Sequence, residues 1–163
     1  MYQIGDKIVY PMHGAGIIRA IEEKEILGTK NSYYILEVPV GNISLMVPVK
    51  TADEIGVRNV VAPSVIEELF AFMITAEIEV NENWNKRHRE NMAKLKSGDL
   101  FEIGPIYQYL RKKELERGLS SGEKKMFVSA HQILASEIML SLNISLSEAE
   151  ELLKNRLNDA VTA

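Results

Sequence analysis

The side chains that most often carry catalysis are present in this chain but do not converge. The histidines His13, His88 and His131 fall in a turn, a basic helix and a mostly apolar helix, without the spacing of a metal-binding motif. The absence of cysteine excludes thiolate ligands, disulfides and cysteine nucleophiles. The Gly14-Ala15-Gly16 segment lacks the third glycine of a dinucleotide-binding turn, because position 19 is Arg, and we interpret it as a strand-entry turn. We therefore expect no enzyme, no metal site and no cofactor.

One basic segment stands out in an acidic protein. Residues 84–113 contain eight Lys and Arg against three Asp and Glu, whereas the whole chain has a net charge of −4. At about 100° per residue, one broad face of a helix over this segment carries Lys86, Arg87, Arg89, Lys94 and Lys96. The opposite face carries Trp84, His88, Met92 and Leu95. Such a helix is either an ordinary solvated surface or a contact for nucleic acid backbone.

Trp84, the single tryptophan, has two interpretations. Its position on the apolar side of the helix favours a core residue, because Trp side chains are highly buried on average. Its position at the helix start, between Asn83 and Asn85, allows partial exposure. The cations of the segment Arg111-Lys112-Lys113 also have a structural explanation, because they suit the C-terminal end of a helix.

The elements that carry these residues form two modules. Short runs rich in Ile, Val and Tyr predict strands at 7–10, 15–26, 32–38 and 43–49, separated by turns at 11–14, 28–31 and 39–42. So small an antiparallel sheet must curl to bury its apolar face, and we expect a small β-barrel over residues 1–60. After Pro63 the periodicity becomes helical and predicts about five helices, a helical domain over residues 61–163. The expected class is α+β.

The boundaries of these helices follow from local signals. The second helix covers about 83–97, the third about 100–117 with Gly118 at its end, and the fourth about 120–142. Capping-box spacings at Ser120–Glu123 and Ser145–Glu148 predict the starts of the fourth and fifth helices. The chain is 46% hydrophobic, has no apolar run of about 20 residues and has no signal segment, so we expect a globular protein of the cytoplasm.

A series of short segments runs through both modules in order. They are residues 5–14 (GDKIVYPMHG), 33–36 (YYIL), 47–49 (VPV), 56–58 (GVR), 84–91 (WNKRHREN), 95–99 (LKSGD) and 116–124 (ERGLSSGEK). Together they resemble the CarD family of bacterial transcription regulators. The matches extend over about residues 1–142, which makes them more specific than any single motif.

The resemblance implies a Tudor-like barrel that binds the β subunit of RNA polymerase and a helical domain that contacts promoter DNA at the upstream edge of the bubble. It implies that Trp84 wedges into the minor groove and that Lys86, Arg87 and Arg89 contact the DNA backbone. Polymerase contacts are implied at Lys24, Leu45 and Met46. Relatives often have arginine on the polymerase-facing strands, so Lys24 and Met46 are departures that weaken the electrostatic part of docking.

Two functions are compatible with these observations, and we expect the first. We expect a monomeric transcription regulator that binds RNA polymerase and DNA without sequence preference, has no membrane partner, and modulates the stability of the open complex. The rival is a protein–protein adapter that does not bind DNA and whose basic helix is only solvated surface. DNA binding with a steep salt dependence separates the two.

Overall fold

The strands and helices follow one another in two blocks. The computed structural model describes residues 1–76 and 83–162, and their side chains except those of Trp84 and of residues 158–162. The strands are β1 (Lys7–Tyr10), β2 (Gly14–Ile26), β3 (Thr29–Val38), β4 (Ile43–Pro48) and β5 (Arg58–Asn59). The helices are α1 (Ala52–Ile55), α2 (Pro63–Thr75), α3 (Trp84–Ser97), α4 (Leu100–Glu116), α5 (Ser121–Leu142) and α6 (Leu146–Thr162).

The strands form one antiparallel sheet in the order β4-β3-β2-β1-β5. Alternate residues of β3, Tyr34, Leu36 and Val38, are buried on one face. Their cluster also contains Val47 from β4 and Val57 beside β5, which lie at opposite edges of the sheet. The sheet therefore curls around a small core, and the predicted α+β class with an N-terminal antiparallel barrel is confirmed.

The hairpin between β2 and β3 is longer than predicted. The expected turn at residues 28–31 is instead a two-residue turn at Leu27 and Gly28, both with positive φ, and β3 begins at Thr29. The pairing continues to Ile26 opposite Thr29, and the whole segment 21–30 is exposed. Two residues with positive φ match the twist of paired strands, so the tighter turn lets the ladder reach the tip.

The five expected helices are present as α2 to α6, and α1 is a short addition within the β block. Both predicted capping boxes are confirmed. The Ser120 hydroxyl accepts from the Glu123 amide while the Glu123 carboxylate accepts from the Ser120 amide, and Ser145 and Glu148 make the same exchange. The helices enclose the larger core, to which Ile66, Leu69, Ile103, Leu134 and Leu153 belong.

Helix α5 lies across the sheet and joins the two blocks. Leu140 is buried with Val9 and Ala15 of the sheet. The Ala15 amide donates to the Ser136 hydroxyl at 2.9 Å. A Cβ at Gly14, whose φ is 110°, would lie 2.7 Å from that hydroxyl, so glycine serves both the predicted turn and the close approach of the helix. The division into domains at residue 60 remains a prediction, because sheet and helices share this interface.

Candidate DNA and protein interfaces

Helix α3 presents a cationic face to solvent. The Asn83 side chain caps its start by accepting from the Lys86 amide at 3.2 Å, and Gly98 ends it in the left-handed conformation. Asn91 and Leu95 are buried and turn one side of the helix toward α4 and the rest of the helical core. The opposite side is exposed and carries Lys86, Arg89, Glu90, Ala93 and Lys96, three cations against one carboxylate.

Arg87 lies at the margin of this face. Together with His88 it is half-buried, and it lines a cleft with Asn91 of the same helix and Glu123 of α5. The broad face expected from helical periodicity is therefore narrower, because Arg87 precedes the buried Asn91 by one helical turn. Of the three cations implied by the resemblance, the structure brings Lys86 and Arg89 together in solvent and places Arg87 beside them at the helical interface.

Trp84 is the first residue of α3. Its side chain lies outside the described part of the structure, so the wedge and core interpretations both remain predictions.

A second helix adds cations that are not among the predicted site residues. Lys124 and Lys125 are exposed near the start of α5, and Lys125 borders a cavity of about 340 Å³ that also touches His88 and Met92 of α3. The helix dipole disfavours cations near the start of a helix, so it does not explain Lys124 and Lys125. That mismatch is the sequence signal that could have identified them.

Lys113 has a structural role. Its ammonium donates to the Glu123 carboxylate at 2.6 Å and so links the end of α4 to the start of α5. Burial raises the pKa of Glu123, but the hydrogen bonds from Lys113 and Ser120 outweigh it, and the net pKa is below the ordinary value. This ion pair accounts for part of the basic segment without DNA.

The three implied polymerase contacts lie on the barrel but do not form one patch. Lys24 is exposed on the β2–β3 hairpin and pairs with Glu22 at 3.1 Å, while Met46 is 44% exposed on β4. Their cross-strand partners, Asn31 and Ile35, both belong to the outer face of β3. Leu45 pairs with the buried Leu36 and is packed against the barrel core, on the other face from Met46.

Strand β4 is an edge of the sheet, since within the described residues it pairs only with β3. The Val49 amide donates to the Ser32 carbonyl at 3.0 Å, which places residues 49, 47, 45 and 43 in hydrogen-bonded pairs with β3. The backbone groups of Ser44 and Met46 therefore face away from the sheet. Pro48 shares this outward register, where its missing N–H breaks no hydrogen bond of the ladder.

No group of three or more His, Cys, Asp or Glu within the described residues is arranged to hold a metal ion. Among the helices in the same part of the chain, none is long and apolar enough to span a bilayer.

Comparisons with known proteins match both blocks. The family model described as CarD-like/TRCF RID domain matches residues 2–61, and the model described as CarD, C-terminal domain matches residues 68–154. The Bacillus subtilis (strain 168) protein YdeB, whose name places it among candidate transcription factors, is 36% identical over 138 residues, covering 85% of this chain and 90% of that protein.

A solved structure is similar to part of the chain. The solution NMR structure of the 72-residue N-terminal domain of Myxococcus xanthus CarD is 32% identical, with a TM-score of 0.32, and covers 36% of this chain and 79% of that domain. The two family models together span most of the sequence, and YdeB matches along nearly all of its own length. The chain belongs to the CarD family.

Proposed function

We propose that this protein regulates transcription by binding the β subunit of RNA polymerase through its barrel and promoter DNA through α3. By holding both at the upstream edge of the bubble, it changes the lifetime of the open complex. Family membership and the name of the relative YdeB support a role in transcription. The β subunit and promoter DNA are the partners that the family resemblance implies, and the two surfaces described above support contacts of these kinds.

The edge of β4 supports the polymerase contact. Ser44 and Met46 offer outward backbone groups with which an extended segment of another protein can pair as an added strand. Such pairing draws on the backbone, so it does not require arginine at the positions of Lys24 and Met46. The exposed Met46 side chain adds an apolar contact beside those groups.

The cationic face of α3 is the observation that carries the DNA contact. Lys86, Arg89 and Lys96 are exposed on one side of a helix whose other side is fixed in the core by Asn91 and Leu95. Side chains so placed contact phosphates without reading base edges, and Arg87 reaches the same backbone from the margin of the face. We therefore expect binding without sequence preference.

Attachment to polymerase makes weak DNA contacts sufficient. A barrel bound to the β subunit raises the effective concentration of α3 at the nearby DNA. The net charge of −4 disfavours binding to DNA elsewhere, so polymerase selects the site. Trp84 at the start of α3 then inserts between unstacked bases and opposes closing of the upstream fork.

The salt dependence of binding to a forked promoter duplex tests the DNA contact against the adapter function. Lys86→Ala and Arg89→Ala should each weaken binding equally on all duplexes and lower the slope of log K against log salt by about 0.9, one phosphate contact. Lys154→Ala, which removes an exposed cation from α6, is the matched control and should leave the slope unchanged. Absence of binding to the duplex would favour the adapter. A salt slope that the α3 variants leave intact would place the phosphate contacts outside α3 and contradict the proposed DNA contact.

A further inference from the structure

One guanidinium connects three parts of the fold. Arg58 of β5 donates from both terminal nitrogens to the Glu137 carboxylate of α5, each at 2.7 Å. The same side chain donates at 2.9 Å to the carbonyl of Gly98, the residue that ends α3. The barrel, the long helix that crosses it and the C-terminal end of the basic helix thus meet at a single side chain.

Glu137 and Gly98, which both accept hydrogen bonds from Arg58, are buried. Glu137 is fully buried, and its carboxylate also accepts from the Val61 amide at 3.0 Å. Gly98 is buried, with a φ of 73°, and a Cβ added there would lie 3.4 Å from the ring of Pro11 in the barrel. The end of α3 is therefore held between Pro11 and Arg58, with a buried carboxylate fixing the guanidinium.

The start of α3 lies far from this anchored end. Thirteen helical rises of about 1.5 Å place Trp84 ~20 Å from Ser97 along the axis. A rotation of about 10° at the anchored end would move the start of the helix by ~3.5 Å, close to the rise of one nucleotide in a DNA strand. An aromatic wedge must be placed at one particular base step to insert there. The angle between α3 and the barrel therefore decides whether Trp84 reaches that step.

We propose that Arg58 is a positioning residue that sets the orientation of α3 relative to the polymerase-bound barrel. This inference rests on the proposed function for its consequence at the promoter. Arg58 lies on neither proposed binding surface, since β5 is the sheet edge opposite β4 and Arg58 is not part of α3. Its loss should leave each separate binding reaction intact and impair only the activity that needs both partners bound in register.

The test uses Arg58→Lys in the full chain, because lysine keeps a positive charge beside Glu137 but lacks the fork that reaches Glu137 and Gly98 at once. Arg156→Lys is the matched control, since Arg156 makes a similar two-nitrogen contact to Glu67 within the helical block, at 3.0 and 2.8 Å. Glu137→Gln is a second variant that keeps an acceptor for Arg58 and Val61, should Arg58→Lys fail to fold.

Spin labels at Ser32→Cys of β3 and Ala93→Cys of α3 measure the orientation by electron–electron distance, and the absence of native cysteine makes the labelling specific. We expect a broadened distance distribution for Arg58→Lys and Glu137→Gln and the parent distribution for Arg156→Lys. With unchanged affinity for the β subunit and for DNA, the Arg58 variant should lose most of the effect on open-complex lifetime, and the Arg156 variant should keep it.

Two results would overturn the positioning role. One is a distance distribution between the two labels that neither Arg58→Lys nor Glu137→Gln changes. The other is a broadened distribution with a parental effect on lifetime. If the parent protein binds neither partner or has no effect on lifetime, the proposed function fails, and the distance distribution still decides whether Arg58 sets the orientation.

Discussion

Leu27 adopts a backbone conformation that leucine disfavours. It lies at the tip of the β2–β3 hairpin with a φ of 53°, and its side chain is fully exposed. The left-handed region costs an L-residue roughly 1–2 kcal/mol, while asparagine tolerates it and is favoured before glycine in such turns. Leu27→Asn should therefore raise the free energy of unfolding by about 1 kcal/mol in urea denaturation. Leu27→Ala keeps the strain and is the control, and equal effects of the two substitutions would argue against this turn.

The two interpretations of Trp84, core residue and exposed wedge, predict different effects of its removal on stability. Truncating a buried Trp typically costs about 3–5 kcal/mol, whereas removing an exposed wedge costs far less. We expect Trp84→Ala to keep a melting temperature close to that of the parent. Leu95→Ala on the same helix is the reference for a buried side chain and should lower the melting temperature strongly. A comparable drop for Trp84→Ala would restore the core interpretation.

Two substitutions at Met46 of strand β4 separate the contribution of the backbone to polymerase binding from that of the side chain. Met46→Pro removes an N–H that faces away from β3, so no bond of the ladder is lost and an edge strand tolerates the proline. Met46→Ala keeps that N–H and removes only the side chain. We expect pull-down of the β subunit to fail for the proline variant and to weaken modestly for the alanine variant. Equal binding by both variants would exclude strand addition at this edge.

The junction of α4 and α5 predicts a pH dependence of stability. Because hydrogen bonds from Lys113 and Ser120 hold the pKa of Glu123 below its unfolded value, their stabilisation is present above about pH 4.3 and is lost as the pH falls toward the folded pKa. Glu123→Gln should cost about 1–2 kcal/mol at pH 7, and the difference from the parent should shrink below pH 4. Glu151→Gln, at an exposed site on α6, should show a small difference at every pH. A constant cost of Glu123→Gln down to pH 3 would contradict this account.

Local signals explain which features of the elements are predictable. The capping boxes at Ser120 and Ser145 are recognisable because both partners lie within three residues of each other. Helical periodicity places Arg87 on the outer face, because periodicity alone does not define where the buried side of the helix ends. The length of the β2–β3 hairpin escaped prediction because Leu27 is an unusual residue for its turn.

The features that the sequence does not predict are contacts between distant parts of the chain. Arg58 and Glu137 are 79 residues apart, and neither residue type nor spacing indicates that they meet. The sequence pattern predicted two modules and a basic helix, but not that α5 crosses the sheet or that the end of α3 is attached to the barrel. These contacts determine the relative placement of the two proposed binding surfaces.

The proposed function requires one molecule to engage polymerase and the upstream fork together. The most direct test is the lifetime of a promoter open complex after competitor challenge, with and without saturating full-length protein. We expect the parent to change the lifetime, and Trp84→Ala to bind polymerase equally well while losing most of that effect. An unchanged lifetime with the parent bound, or a parental effect from Trp84→Ala, would contradict the proposed function.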